Sequence, residues 1–410
     1  MSEAGAEAGA FIAPGATLGD GPRETPFIAP GATLGVVGGG QLGRMFAHAA
    51  QRGGYRVAVL DPDDASPAGT IAHEHVRTGY LDAGGLDRLA GLCAAITTEF
   101  ENVPAEALAT LARTRPVAPG AAAVAICQDR AAEKAAFGRA GVAFAPYAVL
   151  GSPADLAGVA DDLLPGILKT ARLGYDGKGQ RRVETRAELV RAFSELGNVT
   201  CVLEKRLPLA AEISVIVARN SGGAGVALPV QENVHRDGIL AITRVPAQAI
   251  DAALQAEAVA LAQRIAAAID YVGVLCVEFF VLAGNALVAN EMAPRPHNSG
   301  HYSIDACDLS QFDLQVRAMT GAPLLATRLH SPAVMLNLLG ELWFRAGAGV
   351  AAEPPWDRIL ALPGAHLHLY GKSEARAGRK MGHLTLTAAT AAAAEAGARD
   401  AAAILGIEAW

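Results

Sequence analysis

The stretch from Tyr271 to Ser303 limits the possible folds more than any other part of this chain. Its first half, Val272–Leu282, and a second run, Ala286–Glu291, carry the β-branched and aromatic residues typical of strands. Gly284 and Asn285 stand between the two runs and are typical of a two-residue hairpin turn with glycine first. The stretch therefore predicts an antiparallel hairpin.

Such a turn would place Glu278 directly opposite Glu291. Facing carboxylates have Cβ atoms about 5 Å apart and repel each other, a conflict that a hard cation such as Mg2+ would remove. The alternative is a solvent-exposed hairpin end where two carboxylates merely coexist. Arg295, His297 and Asn298 follow among prolines and suggest an anion-binding loop beside the metal. A metal next to an anion is typical of phosphoryl chemistry.

Composition excludes several classes of protein. A chain of 410 residues is long enough for two or three domains. Its net charge of −7 argues against general nucleic-acid binding, and it contains no apolar run of about 18 residues that would span a membrane. The five cysteines are scattered and form no C-x-x-C pair, which favours buried thiols in a reducing cytoplasm over disulfides or a zinc site.

The beginning of the chain contains a duplication. The segment FIAPGATLG occurs at Phe11–Gly19 and again at Phe27–Gly35, and only the second copy runs into a predicted strand. We expect residues 1–30 to be a disordered leader without a function of its own.

A predicted strand at Thr33–Val37 leads into GGGQLGRM, and a helix follows. Gly38, Gly40 and Gly43 match the dinucleotide-binding pattern G-x-G-x-x-G, and Asp61 ends the next predicted strand. An NAD-dependent dehydrogenase is therefore one hypothesis. The N–H groups at a helix N-terminus bind anions in general, however, so a phosphorylated substrate would satisfy them equally well.

Two carboxylates follow the predicted strand Ala94–Thr98, at the sheet edge where open α/β folds bind ligands. Either Glu99 or Glu101 could contact a hydroxyl or an amine of a substrate, and a solvated loop is the alternative. His73 and His75 form an H-x-H pair, but we expect ordinary loop residues there because no third ligand lies nearby.

A second glycine-rich stretch, LGYDGKGQ, begins at Leu173, after a predicted strand at Pro165–Lys169 and a helix near Pro153–Leu163. It lacks the Walker pattern G-x-x-x-x-G-K-[ST] and predicts a loop that covers phosphates. Strands on either side of it, the acidic hairpin and a helix at Gln248–Ala268 predict a clamp of two lobes around a nucleotide.

A cluster of cations lies near the C-terminus, at Lys372, Arg376, Arg379 and Lys380. A solvated turn is the common explanation for such a cluster. Here the cations lie in a small third domain that must pack on another part of the chain, and an anionic ligand would account for them.

Seven segments together resemble one enzyme family: GGGQLGRM, TTEFENVP, DRAAEK, LGYDGKGQ, QENVHRDGIL, NEMAPRPHNSGHYS and YGKSEARAGRKMGHL. In this order they resemble the N5-carboxyaminoimidazole ribonucleotide synthetase family of purine biosynthesis, within the ATP-grasp superfamily, from about Thr33 to near the C-terminus. The resemblance implies an α/β and α+β fold of ATP-grasp architecture. It implies a Rossmann-like domain at 31–127, an ATP-grasp domain at 128–325 and a small C-terminal domain at 326–410.

The resemblance also implies a reaction. ATP and bicarbonate would form carboxyphosphate, and 5-aminoimidazole ribonucleotide would be carboxylated on its amine, with ADP and phosphate released. Mg2+ would be required. A formate-dependent glycinamide ribonucleotide transformylase of the same superfamily is the nearest alternative. The family further suggests a cytoplasmic homodimer that binds small molecules and neither nucleic acid nor membrane.

Residue roles implied by the resemblance fall into four groups. The ATP site would comprise Arg130, Lys169, Gly174, Tyr175, Asp176, Gly177, Lys178, Gly179, Gln180, Glu204, Lys205, Arg206, Leu207, Glu212, His235, Asn290 and Glu291. Substrate would contact Gln41, Glu99, Tyr175, Arg295, His297, Asn298, Lys372, Arg379 and Lys380. Asp176, Arg295 and His297 would be catalytic, and Glu278 and Glu291 would bind the metal. In a regular strand, Asn290 would point away from Glu291.

Overall fold

The structure is a computed structural model that describes residues 26–174, 179–345, 351–408 and 410. Four predicted site residues, Tyr175, Asp176, Gly177 and Lys178, lie outside the described residues, as do residues 1–25 of the predicted leader. The end of that leader is ordered, contrary to the prediction: Ile28 N–H donates to the carbonyl of Thr320 at 2.9 Å, and its side chain packs on the N-terminal core. Among the described residues, no helix is long and apolar enough to cross a membrane.

The N-terminal region is a parallel α/β layer, as predicted. Its strands are β1 (Thr33–Val37), β2 (Arg56–Leu60), β3 (Glu74–Val76) and β4 (Ala95–Thr98), in the order β3-β2-β1-β4. Its helices are α1 (Gln41–Arg52), α2 (Ala83–Leu92), α3 (Ala105–Leu111) and α4 (Ala121–Cys127). The central strands β1 and β2 are mostly apolar and buried because helices cover both faces of the sheet.

A small antiparallel sheet carries the second glycine-rich loop. Its strands are β5 (Tyr147–Leu150), β6 (Gly166–Thr170), β7 (Gln180–Val183) and β8 (Cys201–Lys205), in the order β5-β8-β6-β7. Helix α5 (Arg130–Arg139) precedes the sheet and α6 (Arg186–Glu195) packs on it. The helix predicted near Pro153–Leu163 is wrong: extended residues at 159 and 160 separate two short 3-10 helices, Pro153–Gly158 and Asp161–Leu163.

The largest sheet is antiparallel and has nine strands. They are β9 (Leu209–Arg219), β10 (Gly225–Ala227), β11 (Gln231–Arg236), β12 (Ile239–Val245), β13 (Gly273–Leu282), β14 (Leu287–Ala293), β15 (Ala333–Leu339), β16 (Ala365–Leu369) and β17 (Lys380–Thr387). Their order is β14-β13-β9-β11-β12-β15-β17-β16, with β10 beside β9. Because β12 pairs with β15, this sheet continues across the predicted boundary between residues 325 and 326.

Helices on both sides of the large sheet bury its apolar residues. They are α7 (Ala252–Ala268), α8 (Ser303–Ala306), α9 (Gln311–Thr320), α10 (Trp356–Leu360) and α11 (Ala391–Leu405). Ile265 of α7 packs with Leu275 and Phe279 of β13, and all three are fully buried. Burying each such side chain is worth about 1.5–3 kcal/mol. This packing makes the acidic hairpin part of a rigid core.

The hairpin itself differs from the prediction in its turn. Leu282 N–H donates to the carbonyl of Ala286 at 2.9 Å, so three residues form the loop, and Gly284 and Asn285 adopt positive φ values of 77° and 62°. The prediction of a two-residue turn was therefore wrong. The strands leave this turn one residue out of the predicted register, and Val281 faces Leu287.

Candidate active site

A bulge restores the predicted pairing of the two carboxylates. Phe279 faces Ala289, yet the next residue, Glu278, faces Glu291. Asn290 is thus the extra residue of a β-bulge, which re-aims side chains locally. It does not follow the alternation of a regular strand, and its buried Oδ1 has no hydrogen-bond partner within the described part of the chain.

The environment makes the two facing carboxylates unlike each other. The Glu278 side chain is 11% exposed and that of Glu291 is 42% exposed. Burial, together with the charge of Glu291, raises the pKa of Glu278. Burial would also raise the pKa of Glu291, but Arg130, whose Nη1 donates to it at 3.1 Å, lowers that pKa overall. Two carboxylates and the unpaired amide oxygen of Asn290 are hard donors, so this donor set fits Mg2+.

Histidines extend the site on the Glu278 side. His297 Nδ1 accepts the N–H of Ser299 at 3.3 Å, which leaves the proton of a neutral ring on Nε2, 3.3 Å from Glu278 Oε1. Burial and the charge of Arg295 hold the pKa of His297 well below its usual value, so the ring is neutral. The ring therefore lies beside Glu278 without bringing a charge.

His235, unlike the neutral His297, is protonated at neutral pH. Its Nδ1 lies 2.7 Å from Glu212 Oε2. Burial alone would lower the pKa of His235, but Glu212 and Glu278 together raise it to about 9. An imidazolium beside the carboxylate pair adds positive charge where phosphates would bind.

A buried lysine pair brackets Glu204. Lys169 Nζ donates to Glu204 Oε2 at 3.0 Å, and Lys134 Nζ lies 3.4 Å from Oε1. Burial would raise the pKa of Glu204, but the two lysines lower it overall. Sequence reasoning missed Lys134. The signal was its helical spacing in DRAAEK, since Arg130 and Lys134 are four residues apart and share one face of α5.

Sequence reasoning also missed Glu133, which lies between Arg130 and Lys134 in α5. Its Oε1 accepts the N–H of Met292 at 2.6 Å, and the side chain is buried. Burial raises the pKa of Glu133 to about 7.

Arg295 and Glu101 form a half-buried ion pair, with Arg295 Nε donating to Glu101 Oε2. Burial would raise the pKa of Glu101, but Arg295 lowers it to about 2. The two residues are 194 positions apart, so no local pattern could pair them. Of the two carboxylates that could contact a substrate, Glu101 therefore pairs with Arg295, and Glu99 remains the candidate for substrate contact.

Glu99 lies against the first glycine-rich loop. Its Oε1 accepts the N–H of Leu42 at 3.2 Å, near the start of α1, and burial raises the pKa of Glu99 to about 7. A Cβ on Gly40 would clash with this carboxylate. Gln41, the first residue of α1, lies beside the same loop.

The same loop argues against a dinucleotide site. Asp61 Oδ2 accepts the N–H of Gly39 at 2.7 Å and the hydroxyl of Tyr80 at 2.8 Å, and its Oδ1 accepts the N–H of Asp63 at 2.8 Å. The residue expected to bind a ribose is thus engaged within the protein. With Glu99 on Leu42, the protein's own carboxylates occupy loop N–H groups that a pyrophosphate would need, so the dehydrogenase hypothesis fails.

The residues predicted to bind the nucleotide around the second glycine-rich stretch lie partly outside the described residues. Thr170 N–H donates to the carbonyl of Gly179 at 2.8 Å, which places Gly179 at the end of β6, beside Lys169. Gln180 then starts β7 opposite Lys169. The end of β8, at Glu204 and Lys205, leads into Arg206 and Leu207. The Arg206 guanidinium pairs with Glu184 at 2.5 Å, on the exposed side.

The segment that carries the C-terminal cations contacts α1 next to Lys372. Lys372 Nζ donates to the carbonyl of Lys380 at 2.7 Å, and Arg379 Nη1 donates to that of Glu374 at 2.7 Å. Arg44 Nη1 of α1 lies 3.4 Å from the position that a Cβ of Gly371 would take. Packing therefore brings Gly371, the residue before Lys372, to Arg44 in the GGGQLGRM segment, far away in sequence.

Further histidines lie outside these groups. Asp305, His368 and His383 form the one cluster of three His, Cys, Asp or Glu side chains close enough to share a metal ion that is found among the described residues. The His368 and His383 rings, however, stack at 4.4 Å and 13°, so one ion cannot lie in both ring planes. His73 Nδ1 accepts the N–H of Val57, and His75 bonds the carbonyl of Asp61 from within β3. Neither His73 nor His75 belongs to the cluster of Asp305, His368 and His383.

Comparisons with known proteins agree with this geometry. Family models match at 31–128 (ribonucleotide synthetase preATP-grasp domain), 135–312 (ATP-grasp domain) and 333–397 (phosphoribosylaminoimidazole carboxylase C-terminal domain). A protein of Brucella melitensis named N5-carboxyaminoimidazole ribonucleotide synthase is 44% identical over 86% of this chain and 95% of its own. The Bacillus subtilis protein of the same name is 41% identical over 86% of this chain and 90% of its own.

Two solved structures of the same kind superpose on the chain. The ADP complex of N5-carboxyaminoimidazole synthetase from Staphylococcus aureus has a TM-score of 0.85 at 39% identity, covering 94% of this chain and 100% of its own. The Aspergillus clavatus enzyme, in complex with ADP and 5-aminoimidazole ribonucleotide, has a TM-score of 0.83 at 33% identity. The match covers 92% of this chain and 98% of the Aspergillus clavatus chain.

Proposed function

Because this chain belongs to the N5-carboxyaminoimidazole ribonucleotide synthase family of ATP-grasp ligases, we propose how its own residues carry out that family's reaction. The enzyme uses ATP and bicarbonate to carboxylate 5-aminoimidazole ribonucleotide, through carboxyphosphate, and releases ADP and phosphate. Relatives carrying this name favour bicarbonate over formate as co-substrate. The observation that carries the residue assignment is the facing pair Glu278 and Glu291 beside Arg130 and Lys169.

The nucleotide lies between the small sheet and the hairpin in this proposal. Arg130 and Lys169 contact its phosphates, and residues 174–180 close over them and exclude water, to which carboxyphosphate is labile. Residues 204–207 line the adenine, Glu212 binds the ribose, and His235 and Asn290 complete the site. Mg2+ held by Glu278 and Glu291 would offset phosphate charge during phosphoryl transfer.

The reacting groups meet at the PRPHNS loop. Arg295 is held in place by Glu101 and stabilises the charge of carboxyphosphate, because a fixed guanidinium matches a developing oxyanion. Neutral His297 lies beside Glu278 and, with Asn298 and Tyr175, faces the substrate. Asp176 orients the attacking amine or accepts its proton.

The ribonucleotide binds between the N-terminal and C-terminal regions. Its phosphate contacts Lys372, Arg379 and Lys380, with Gln41 nearby, and Glu99 meets the base. The contact of Gly371, next to Lys372, with Arg44 of α1 supports this arrangement. We also propose the domain limits 31–127, 128–325 and 326–410, and a cytoplasmic homodimer whose size light scattering would test.

ADP release with Mg2+ and ATP tests the proposed reaction. We expect release that depends on 5-aminoimidazole ribonucleotide, and a carboxylated product that depends on bicarbonate. Release that instead required glycinamide ribonucleotide and formate would move the protein to the transformylase reaction. No release with either pair of substrates would contradict both.

A further inference from the structure

Helix α5 makes contacts with three consecutive residues of β14. These contacts join Arg130 to Glu291 at 3.1 Å, Glu133 to Met292 at 2.6 Å and Lys134 to the carbonyl oxygen of Asn290 at 2.7 Å. One charged face of α5 therefore holds the whole bulge. Of its three residues, only Arg130 has a role in the proposed nucleotide site.

The bulge decides whether the carboxylate pair exists. Without Asn290 as the extra residue, the register set by the turn would put Glu278 opposite residue 290 and not opposite Glu291. A bulged residue leaves the regular ladder of a sheet. Lys134 donates to the carbonyl of that residue, and a buried carbonyl that loses its donor is costly.

Lys134 also reaches the nucleotide side of the site. Its Nζ lies 3.4 Å from Glu204 Oε1, while Lys169 bonds the other oxygen of Glu204. The side chains of Lys134 and Glu204 are 1% and 4% exposed, so Lys134 is shielded from solvent and acts through its protein contacts. One ammonium group thus connects β8, where the adenine is proposed to bind, to the bulge on β14.

We propose that Lys134 is a positioning residue that couples the nucleotide strand to the carboxylate pair by holding the Asn290 bulge and the Glu204 side chain together. This inference rests on the proposed function, in which Glu278 and Glu291 bind the metal. It deepens that proposal because it makes metal binding and nucleotide binding depend on one residue that touches neither ligand.

Replacing Lys134 with Met tests the coupling, since Met is similar in length and has no charge. Two affinities are measured without turnover: that for Mn2+, from the free-ion signal in electron paramagnetic resonance, and that for ADP in EDTA, by calorimetry. We expect both dissociation constants to rise about tenfold or more, the usual effect of removing a partner behind a metal ligand. A lower melting temperature with both constants unchanged would overturn the proposal, because a merely structural role would do only that.

Two further variants distinguish a failure of the proposed coupling from a failure of the metal assignment. Glu133→Gln keeps an oxygen that accepts the N–H of Met292, and both constants should stay within about twofold of the wild type. If Glu291→Gln weakens Mn2+ binding and K134M does not, the coupling is wrong and the proposed function stands. If Glu291→Gln leaves Mn2+ binding unchanged, the metal assignment itself is wrong.

A second substitution covers the case in which K134M does not fold. Lys134→Gln retains a hydrogen-bond donor and is tested by the same two measurements. Its dissociation constants must both exceed those of Glu133→Gln, and equal values would overturn the coupling.

Discussion

Glu278 faces Glu291 across the hairpin although the turn that joins their strands is one residue longer than its sequence indicates. The bulge at Asn290 cancels the extra residue of the turn. Two departures from regular hairpin geometry therefore produce the pairing expected of a regular hairpin. Because the pair depends on the bulge, the residues that hold the bulge matter as much as the carboxylates themselves.

Replacing Glu291 with Gln should abolish turnover and leave the fold intact. The substitution preserves shape but removes one of two anionic metal ligands and the partner of Arg130. We expect ADP release to fall about 100-fold or more at saturating ATP, with a melting temperature close to that of the wild type. Glu257→Gln, on the exposed face of α7, is the matched control. Full activity of E291Q would refute the metal assignment.

His235 should make stability fall with rising pH. The pKa of His235 is raised from 6.5 in the unfolded chain to about 9 in the folded protein. Its contribution is therefore fully present below pH 6.5 and is lost as pH rises through 9. Urea titrations of the ligand-free protein should show the wild type losing about 1–3 kcal/mol more than His235→Gln across this window. Parallel curves would show that the Glu212 pair contributes nothing to stability.

Replacing Arg295 with Lys should slow the reaction without weakening ATP binding. Lysine keeps the charge but cannot reproduce the planar guanidinium that Glu101 orients. We expect kcat to fall about 100-fold, with the KM for ATP within about threefold of the wild type. Initial rates at varied ATP, with ribonucleotide and bicarbonate saturating, measure both. A change confined to the KM for ATP would remove Arg295 from the reacting centre.

Replacing Lys372 with Met should raise the KM for the ribonucleotide. Loss of one charged hydrogen bond to a phosphate costs about 1.5–3 kcal/mol, or roughly a 10- to 100-fold change. Binding of ADP, measured by calorimetry, should not change, because Lys372 follows Gly371, which lies against Arg44 of α1, and Lys372 has no role in the proposed nucleotide site. Arg376→Gln is the control, since Arg376 is exposed and paired with Glu374 at 2.6 Å. Equal effects of both variants would indicate a general loss of positive charge.

Replacing Gly40 with Ala should damage both stability and turnover. The new methyl group would clash with the buried Glu99 carboxylate, and overpacking of this kind costs about 1–3 kcal/mol. Gly91→Ala is the matched control, because no atom lies within 4 Å of the added carbon and Gly91 lies inside helix α2. It should stabilise the protein by about 0.4–1 kcal/mol. Thermal melting of the two variants side by side checks both expectations.

Much of the fold could be predicted from the sequence because its signals are local. The apolar run at Thr33–Val37, the glycines after it and the cap at Asp129 before α5 each act over a few residues. The carboxylate pair was also predictable, although the turn expected to produce it was wrong. Its bulge leaves no clear mark in the residues themselves, since Asn290 carries no pattern of its own.

The sequence by itself determined most of the strands, the first glycine-rich loop, the family and the candidate charges. Only the tertiary structure decided which charged groups meet. Arg295 pairs with Glu101, whereas Glu99 accepts an N–H at the first glycine-rich loop. Lys134 contacts both Glu204 and Asn290. The physical reason is distance along the chain. Periodicity and turn chemistry depend on neighbouring residues, whereas a pair such as Lys134 and Asn290, 156 residues apart, depends on how finished elements pack.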